Sequence, residues 1–491
     1  MENSKKISHL ASRFISGTLL SRIFGMLRDV LMAAHFGATP LVGAFFVAYR
    51  LSNLFRRIFA EGGLLNGFIP FFEEIRGKSE KEGAEFFRDL LGSVTLVLLV
   101  LTTSLALFLK MSPWTSPIID LTFVMLPSVL FICLFGVFSA YLHCHHYFFI
   151  SGAAPILLNV FWIGGIFWAG DVLGLCHSIV LGFFAQCFVV LLASLGILKK
   201  QLSFKELLRF KIFSQEVRQM IAPFFVAAIG VSAMQVNSAL DGLIARMASL
   251  EGPAYLTFAS RISQLPLGLF GVGLAVPLLP LLSRAFQAKD TLKFNQFLEA
   301  AFERSLFFMI PSVFGIFAVG RSIVSLIYGR GAFDTLAIMQ TTYCFWGYAL
   351  SLIPSSLVIL IAPAFYAQKN YSRPAFAAIL SVLCNICLSL FLILVCRAGA
   401  YSVAVSSSLS SCINVAALVF FLNQEIALKF SKLFWRRLLI MLLAAIIAFL
   451  VAQMARNSFV FGFFPFVFIY LTLTQLFKIS FLKEFFFKIK D

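Results

Sequence analysis

Leu121–Ala140 reads LTFVMLPSVLFICLFGVFSA, twenty residues without a charge. A helix of about 20 apolar residues crosses the ~30 Å hydrocarbon core of a bilayer. The strands of a membrane barrel would alternate apolar and polar over ~10 residues, and this stretch does not. Leu90–Leu109 and Ser178–Ile197 repeat the pattern. Dividing the chain at its polar breaks predicts about fourteen spans, near 9–36, 41–67, 88–109, 117–142, 148–169, 173–197, 217–247, 254–284, 300–322, 338–364, 373–396, 400–423, 433–454 and 458–478. The composition agrees: 60% of the 491 residues are hydrophobic, only 12% are charged, and the mean hydropathy is +0.95. Soluble domains carry about 25% charge, so a soluble enzyme, a disordered chain and a disulfide scaffold are all disfavoured. The fold class is an all-α polytopic membrane protein.

The charges that remain are lopsided, 39 Lys and Arg against 22 Asp and Glu. Basic residues are retained on the cytoplasmic side of a membrane. They gather at the N-terminus (Lys5, Lys6, Arg13), at Arg76–Arg88, and between the sixth and seventh spans (Lys199, Lys200, Lys205, Arg209, Lys211, Arg218). Alternate loops are poorer, with Arg321, Arg330, Arg397 and Arg456 as exceptions. An even span count then places both termini in the cytoplasm, and the excess charge calls for no nucleic-acid partner. No cleavable signal peptide is evident, because Arg22 and Arg28 interrupt the first apolar stretch. Nine cysteines, mostly within apolar runs, read as small core residues.

An internal repeat divides the chain. Asp29-Val-Leu-Met-Ala, Ala48-Tyr-Arg50-Leu-Ser-Asn-Leu54 and Ile69-Pro70-Phe-Phe72 return as Asp241-Gly-Leu-Ile-Ala, Ala259-Ser-Arg261-Ile-Ser-Gln-Leu265 and Leu279-Pro280-Leu-Leu282. The offsets are 212, 211 and 210 residues. Six spans per repeat make the halves parallel. The expected organisation is an N-lobe over 1–198, a basic linker over 199–216, a C-lobe over 217–424, and two further spans with a basic tail over 425–491. That last pair has no counterpart in the repeat.

The first two spans hold Arg22, Arg28, Asp29, Arg50, Arg56, Arg57 and Glu61, and the seventh and eighth hold Asp241, Arg246 and Arg261. A charge at the bilayer centre costs roughly 2.5–3.5 kcal/mol, so such residues face a bundle interior or a watery cavity. Arg22 and Asp29 share a helix face, as do Arg50 and Arg57, with Glu61 one turn on. For Arg56, Arg57 and Glu61 two readings stand: lining the cavity, or snorkelling to headgroups. Seven arginines against three acids make the cluster cationic, and arginine suits bidentate phosphate recognition. The expected ligand is an anion, such as a phosphate-bearing one. Gly25, between Arg22 and Arg28, and the group Pro266, Gly268, Gly271 and Gly273 mark expected helix breaks or hinges.

Three further signals are weaker. Gly77-Lys-Ser79 lacks the glycine a phosphate-binding loop needs, since Phe72 stands in its place. His143-Cys-His-His146 reads as an interfacial turn before it reads as a metal site. Asp241, Asn385 and Ser407 offer oxygens to a cation or, equally, make interhelical hydrogen bonds. No nucleophile–base pair, metal motif or soluble catalytic domain is visible, so the chain is expected not to be an enzyme and to need no cofactor or metal.

Ser21-Arg-Ile-Phe-Gly-Met-Leu-Arg-Asp29, Phe36-Gly, Ala44-Phe-Phe-Val-Ala48 and Asn53-Leu-Phe-Arg-Arg-Ile-Phe-Ala-Glu-Gly62 together resemble the signature of the MurJ/MviN lipid II flippases, of the multidrug/oligosaccharidyl-lipid/polysaccharide exporter superfamily. Ala259–Gly273, Tyr328-Gly-Arg-Gly-Ala-Phe333 and Ala362-Pro-Ala-Phe-Tyr366 extend the resemblance over twelve spans. It implies two six-helix lobes around a cationic cavity, with spans thirteen and fourteen forming a groove for a lipid tail. It also implies alternating-access transfer of the undecaprenyl-pyrophosphate-linked peptidoglycan precursor, lipid II, from the inner to the outer leaflet of the bacterial cytoplasmic membrane. Its cavity arginines fall on Arg22, Arg28, Arg56 and Arg261, with Asp29 beside Arg28. Gly43 and Ser260 stand where the family often has acids. Ser389 replaces an acid of a sodium site whose other positions match Asp241, Asn385 and Ser407, leaving a monovalent cation or the membrane potential as the driving force. Expected partners are the lipid-linked precursor and membrane lipids, and the transporter is expected to be a monomer. The rival readings are a cation-coupled exporter of another lipid-linked oligosaccharide or a drug, and a membrane enzyme acting on polyprenyl pyrophosphates.

Overall fold

The computed structural model describes residues 20–56, 63–113, 115–368, 370–454, 459–477 and 479. Every described element is helical. In order they are α1 (20–36), α2 (Pro40–Arg56), α3 (Gly63–Arg76), α4 (Glu80–Met111), α5 (Pro117–Cys144), α6 (Phe148–Ala153), α7 (Pro155–Trp168), α8 (Val172–Gln201), α9 (Phe204–Leu208), α10 (Gln215–Ala248), α11 (Gly252–Pro266), α12 (Val272–Gln287), α13 (Thr291–Tyr328), α14 (Thr335–Ala349), α15 (Leu352–Ala367), α16 (Ser372–Leu394), α17 (Tyr401–Glu425), α18 (Lys432–Met454) and α19 (Phe459–Leu476). Among the described residues nine helical segments are long and apolar enough to cross a membrane, and ten if the bent pair α14–α15 is one span. The four other expected spans fall on α1, on α2 with α3, on α10 and on α19. Fourteen therefore remains a sequence-based expectation.

Leu121–Ala140 lies in α5. Ser116 caps this helix by accepting from the Ile118 N–H, Pro117 takes the first position and Asp120 the first turn. An all-round apolar helix belongs in a core. In the apolar window of α5, 61% of the residues are buried, against 17% in α4, whose outer face is left to lipid.

The chain divides into two compact units, Met1–Gly242 and Leu243–Asp491. The core of the first is built around Phe68, Phe72, Phe87 and Tyr141, with the rings of Phe87 and Tyr141 stacked at 3.9 Å. The segment joining α8 to α10 is strapped onto the start of α4. Asp89 Oδ1 accepts from the Lys211 N–H at 2.9 Å and from Arg88, and Ser93 Oγ accepts from the Phe213 N–H at 2.9 Å. Gly92 is needed there, because a Cβ would stand 2.5 Å from the Phe210 ring. In α9 a capping box links Ser203 and Glu206, and Lys81 Nζ donates to Glu206 Oε1 at 2.7 Å. The Lys81 ammonium and the Ser203 donors hold the Glu206 carboxyl down at about 2.

The second unit is built around the 38-residue α13. The last two helices share its core: Phe307, Leu298, Ala444, Ala445, Ala448 and Tyr470 lie in one buried cluster. In lipid, helices gain little from apolar contact alone and rely on small residues and hydrogen bonds. α18 presents Ala444, Ala445, Ala448 and Ala452, all buried. Polar ties follow one face of α13. Asn295 donates to the Ala427 carbonyl, Glu299 accepts from Ser431, Glu303 pairs with Arg437 at 2.7 Å, and the Tyr470 hydroxyl donates to the Phe307 carbonyl at 2.8 Å.

Three local departures from the expected spans have physical causes. The tenth span is bent by 41° between α14 and α15. There Pro354 has no N–H to give the Leu350 carbonyl, and Ser351 Oγ donates to the Tyr348 carbonyl at 2.7 Å. The fifth is broken at Ala154, ahead of Pro155, which cannot donate its backbone hydrogen bond. In the eighth, a π-helical turn over Leu267–Gly271 separates α11 from α12 at the expected Pro266–Gly271 group. By contrast α1 runs unbroken through Gly25, which lies beside the Asn159 side chain instead of interrupting the helix.

Candidate functional site

Arg28 and Asp29 are adjacent on α1, and both are buried. Arg28 Nε and Nη2 donate to Asp29 Oδ1 at 2.9 and 2.7 Å. A third donor, Nη1, reaches Asn159 Oδ1 on α7 at 3.0 Å. Asn159 is itself held, because its Nδ2 donates to the carbonyls of Ser21 and Pro155, each at 3.2 Å. The guanidinium carbon lies 4.2 Å from the centroid of the Trp162 ring, one turn along α7. Trp162 is wedged edge-on between Phe45 and Tyr49 of α2, at 5.5 and 5.0 Å. Three helices thus fix one guanidinium in plane and in height. A buried charge is tolerated when paired and hydrogen-bonded, and the aromatic face adds a cation–π term.

Arg50 Nη1 donates to the Ser238 carbonyl of α10 at 2.9 Å, and its stem lies against Gly242, where a Cβ would stand 3.3 Å from Cδ. Arg22 is exposed on α1, and Arg261 is exposed on α11. Arg56 ends α2, with its side chain outside the described set, and Arg57 and Glu61 lie outside the described residues. The described part of the first unit therefore brings Arg28, Asp29 and Arg50 onto packed helices. Arg246, counted in the cluster by sequence, donates to the Leu250 carbonyl at the end of α10.

Of the candidate cation ligands, Asp241 belongs to the first unit, and Asn385 and Ser407 to the second. Asp241 Oδ2 accepts from Asn237 Nδ2 at 3.4 Å. Asn385 is fully buried, and Ser389 beside it on α16 is fully buried with its hydroxyl unpartnered among the described residues.

Among the described residues no group of three or more His, Cys, Asp or Glu could hold a metal ion. In the His143–His146 tract, His143 Nε2 meets Ser151 Oγ at 2.8 Å and His145 packs edge-on against Phe72 and Tyr141. Among the described residues the nine cysteines form no disulfide.

Sequence reading missed Asn159 and Trp162. Each sits in an apolar run and looks like ordinary helix filling until α7 is packed against α1.

The profile described as lipid II flippase MurJ matches residues 32–470. The chain belongs to the MurJ family. Among curated MurJ-family relatives, a probable lipid II flippase of Chlamydia trachomatis is 32% identical over 433 residues, covering 86% of this chain and 79% of its own. One from Thermotoga maritima is 29% identical over 487 residues, covering 96% and 97%. A solved MurJ in an inward closed conformation superposes with a TM-score of 0.79 at 25% identity, over 94% of this chain and 98% of that one. An inward-facing multidrug MATE transporter shares the fold, with a TM-score of 0.67 at 13% identity. The MurJ profile begins three residues beyond Asp29, so the case for Arg22, Arg28 and Asp29 rests on their own chemistry.

Proposed function

We propose that this chain moves lipid II from the inner to the outer leaflet of the bacterial cytoplasmic membrane by alternating access, with both termini in the cytoplasm and one copy sufficient. The observation that carries this reading is the Arg28 guanidinium, buried in a membrane-spanning unit and locked by Asp29, Asn159 and Trp162. Membrane proteins keep such a charge where it serves a polar pathway. A pyrophosphate carrying sugars and a peptide cannot shed its water into hydrocarbon, and arginines supply the replacement donors.

In this reading Arg22, Arg28, Arg50, Arg56, Arg57 and Arg261 hold the diphosphate in turn while Asp29 and Glu61 limit the net charge, so that binding stays reversible. The two repeats, over 1–198 and 217–424, act as lobes joined by the linker at 199–216. The terminal pair over 425–491 guides the tail, and the Pro266–Gly273 segment flexes. No covalent bond is made or broken. Uphill transport draws on the membrane potential or on a monovalent cation whose oxygen ligands would be Asp241, Asn385 and Ser407. An exporter of cationic drugs would want an acid-rich pathway, whereas the expected first, second, seventh and eighth spans hold seven arginines against three acids.

The test is reconstitution of the full chain with a fluorescent lipid II analogue and a reporter of leaflet. Arg28→Ala and Arg261→Ala, inserted at normal levels, should abolish transfer. Wild-type rates in both variants would sink the proposal.

A further inference from the structure

The second unit contains a cavity of about 420 Å³, within the usual size range of ligand pockets. It lies between the last third of α13, the second half of α14 and the first turns of α17. Its walls are Phe317, Tyr343, Trp346 and Tyr401, completed by Leu350 and Val405, with no charged group. The rings are set against one another: Tyr343 is 5.7 Å from Trp346 and 6.2 Å from Tyr401, and Phe317 is 6.4 Å from Trp346.

This wall is rigid. Trp346 Nε1 donates to the Ile316 carbonyl at 3.1 Å, so the polar edge of the indole is engaged. Gly320 admits that edge, since a Cβ there would stand 3.0 Å from Nε1. Gly347 lets α17 approach, because a Cβ would stand 2.8 Å from Ala404 Cβ, and its carbonyl accepts from Ser408 Oγ at 2.6 Å.

Arg321 stands one turn beyond Phe317 and shares its helix face. It is exposed, and among the described residues it has no hydrogen bond or ion pair. It is also one of the arginines that break the chain's charge asymmetry. α13, α14–α15 and α17 are membrane-spanning by length and composition, so the medium around the cavity is hydrocarbon that ends in phosphate headgroups. Arginine next to an aromatic-walled space at such a boundary matches a phosphate joined to a hydrocarbon chain.

We propose that this cavity with Arg321 is a binding site for one phosphate-bearing lipid, its phosphate at the guanidinium and the first carbons of its chain among the four rings. The site shares no residue with the Arg28 cluster and does not depend on the transport reading. A phospholipid and a polyprenyl phosphate both have this chemistry.

The test uses the full chain in nanodiscs, with a diazirine-bearing amino acid at position 350 and mass spectrometry of the lipid adducts. Discs of phosphatidylcholine are doped with phosphatidylglycerol or with undecaprenyl phosphate. The expected result is severalfold enrichment of an anionic lipid over its share of the disc, lost in Arg321→Gln, restored in Arg321→Lys and lost again when Val405→Trp fills the cavity. Enrichment of one dopant over the other assigns the source. Adducts that follow bulk composition, or enrichment that survives Arg321→Gln, would overturn the proposal.

Discussion

Arg28 and Asn159, 131 positions apart, meet at 3.0 Å, and the asparagine is in turn tied to the Ser21 carbonyl on the arginine's own helix. Asn159 therefore sets where α7 sits against α1 as well as where the guanidinium points. Asn159→Ala should lower stability by about 1–2 kcal/mol, the range for a buried hydrogen bond lost. Transfer should fall roughly tenfold, which corresponds to about 1.4 kcal/mol of lost positioning. Asn159→Asp separates acceptor from donors. It keeps the oxygen that accepts from Arg28 but loses the Nδ2 donors to the Ser21 and Pro155 carbonyls and faces them with an oxygen, so thermal stability should fall at least as far as in Asn159→Ala. Thermal unfolding alongside the leaflet assay reads both.

Trp162 gives the Arg28 guanidinium an aromatic face at 4.2 Å. Trp162→Phe keeps a face and Trp162→Leu removes it. The two variants should differ by about 0.5–2 kcal/mol in an unfolding titration. The difference should vanish in an Arg28→Met background, a double-mutant cycle that removes the shared packing loss. A difference that persists there would assign it to shape alone.

The Glu303–Arg437 pair joins α13 to α18 at 2.7 Å, with the glutamate buried and the arginine about one-third exposed. Arg437→Met should cost about 2 kcal/mol by leaving a buried carboxylate unpaired, less than a fully enclosed pair because water reaches the arginine. Glu303→Leu combined with Arg437→Met should recover most of that loss. Melting temperatures of the single and double variants in one detergent provide the check.

Two ties in the linker strap predict opposite outcomes. Glu206 is about one-third exposed, and its carboxyl is held down at about 2 chiefly by the Lys81 hydrogen bond. A lowered carboxyl pKa contributes stability above the unfolded value near 4.5, and that contribution fades as pH falls from there to about 2. Lys81→Ala should raise the Glu206 midpoint toward 4.5, visible by infrared titration of the carboxyl band, yet leave the melting temperature at pH 7 unchanged, because salt and water screen an exposed pair. Asp89 is buried and accepts from both Arg88 and the Lys211 backbone. Asp89→Ala should cost about 1–3 kcal/mol and speed hydrogen exchange at Lys211.

The span pattern and the Arg28–Asp29 pairing were legible because both are local: a run of apolar residues, and two charges side by side. The partners of Arg28 were not. Asn159 and Trp162 acquire their roles only when α7 packs on α1 and α2, and one asparagine in an apolar run carries no mark of its partner. The bend after Ala349 went unread for a related reason. Pro354 has no N–H for the Leu350 carbonyl four residues back, but a lone proline in an apolar run does not by itself show that the helix will part there. The Pro266–Gly271 irregularity could be read, since those residue types alter the backbone themselves.

The alanine face of α18 bears on how this chain can drift over generations. On the opposite side Leu439, Leu443 and Leu450 meet lipid, where one apolar residue serves nearly as well as another. At Ala444, Ala445, Ala448 and Ala452 a single added methyl has no vacant space to enter, so substitutions there should be removed by selection while the leucines wander. A saturation scan of this one helix should therefore return two classes of position, separated by which way each residue points.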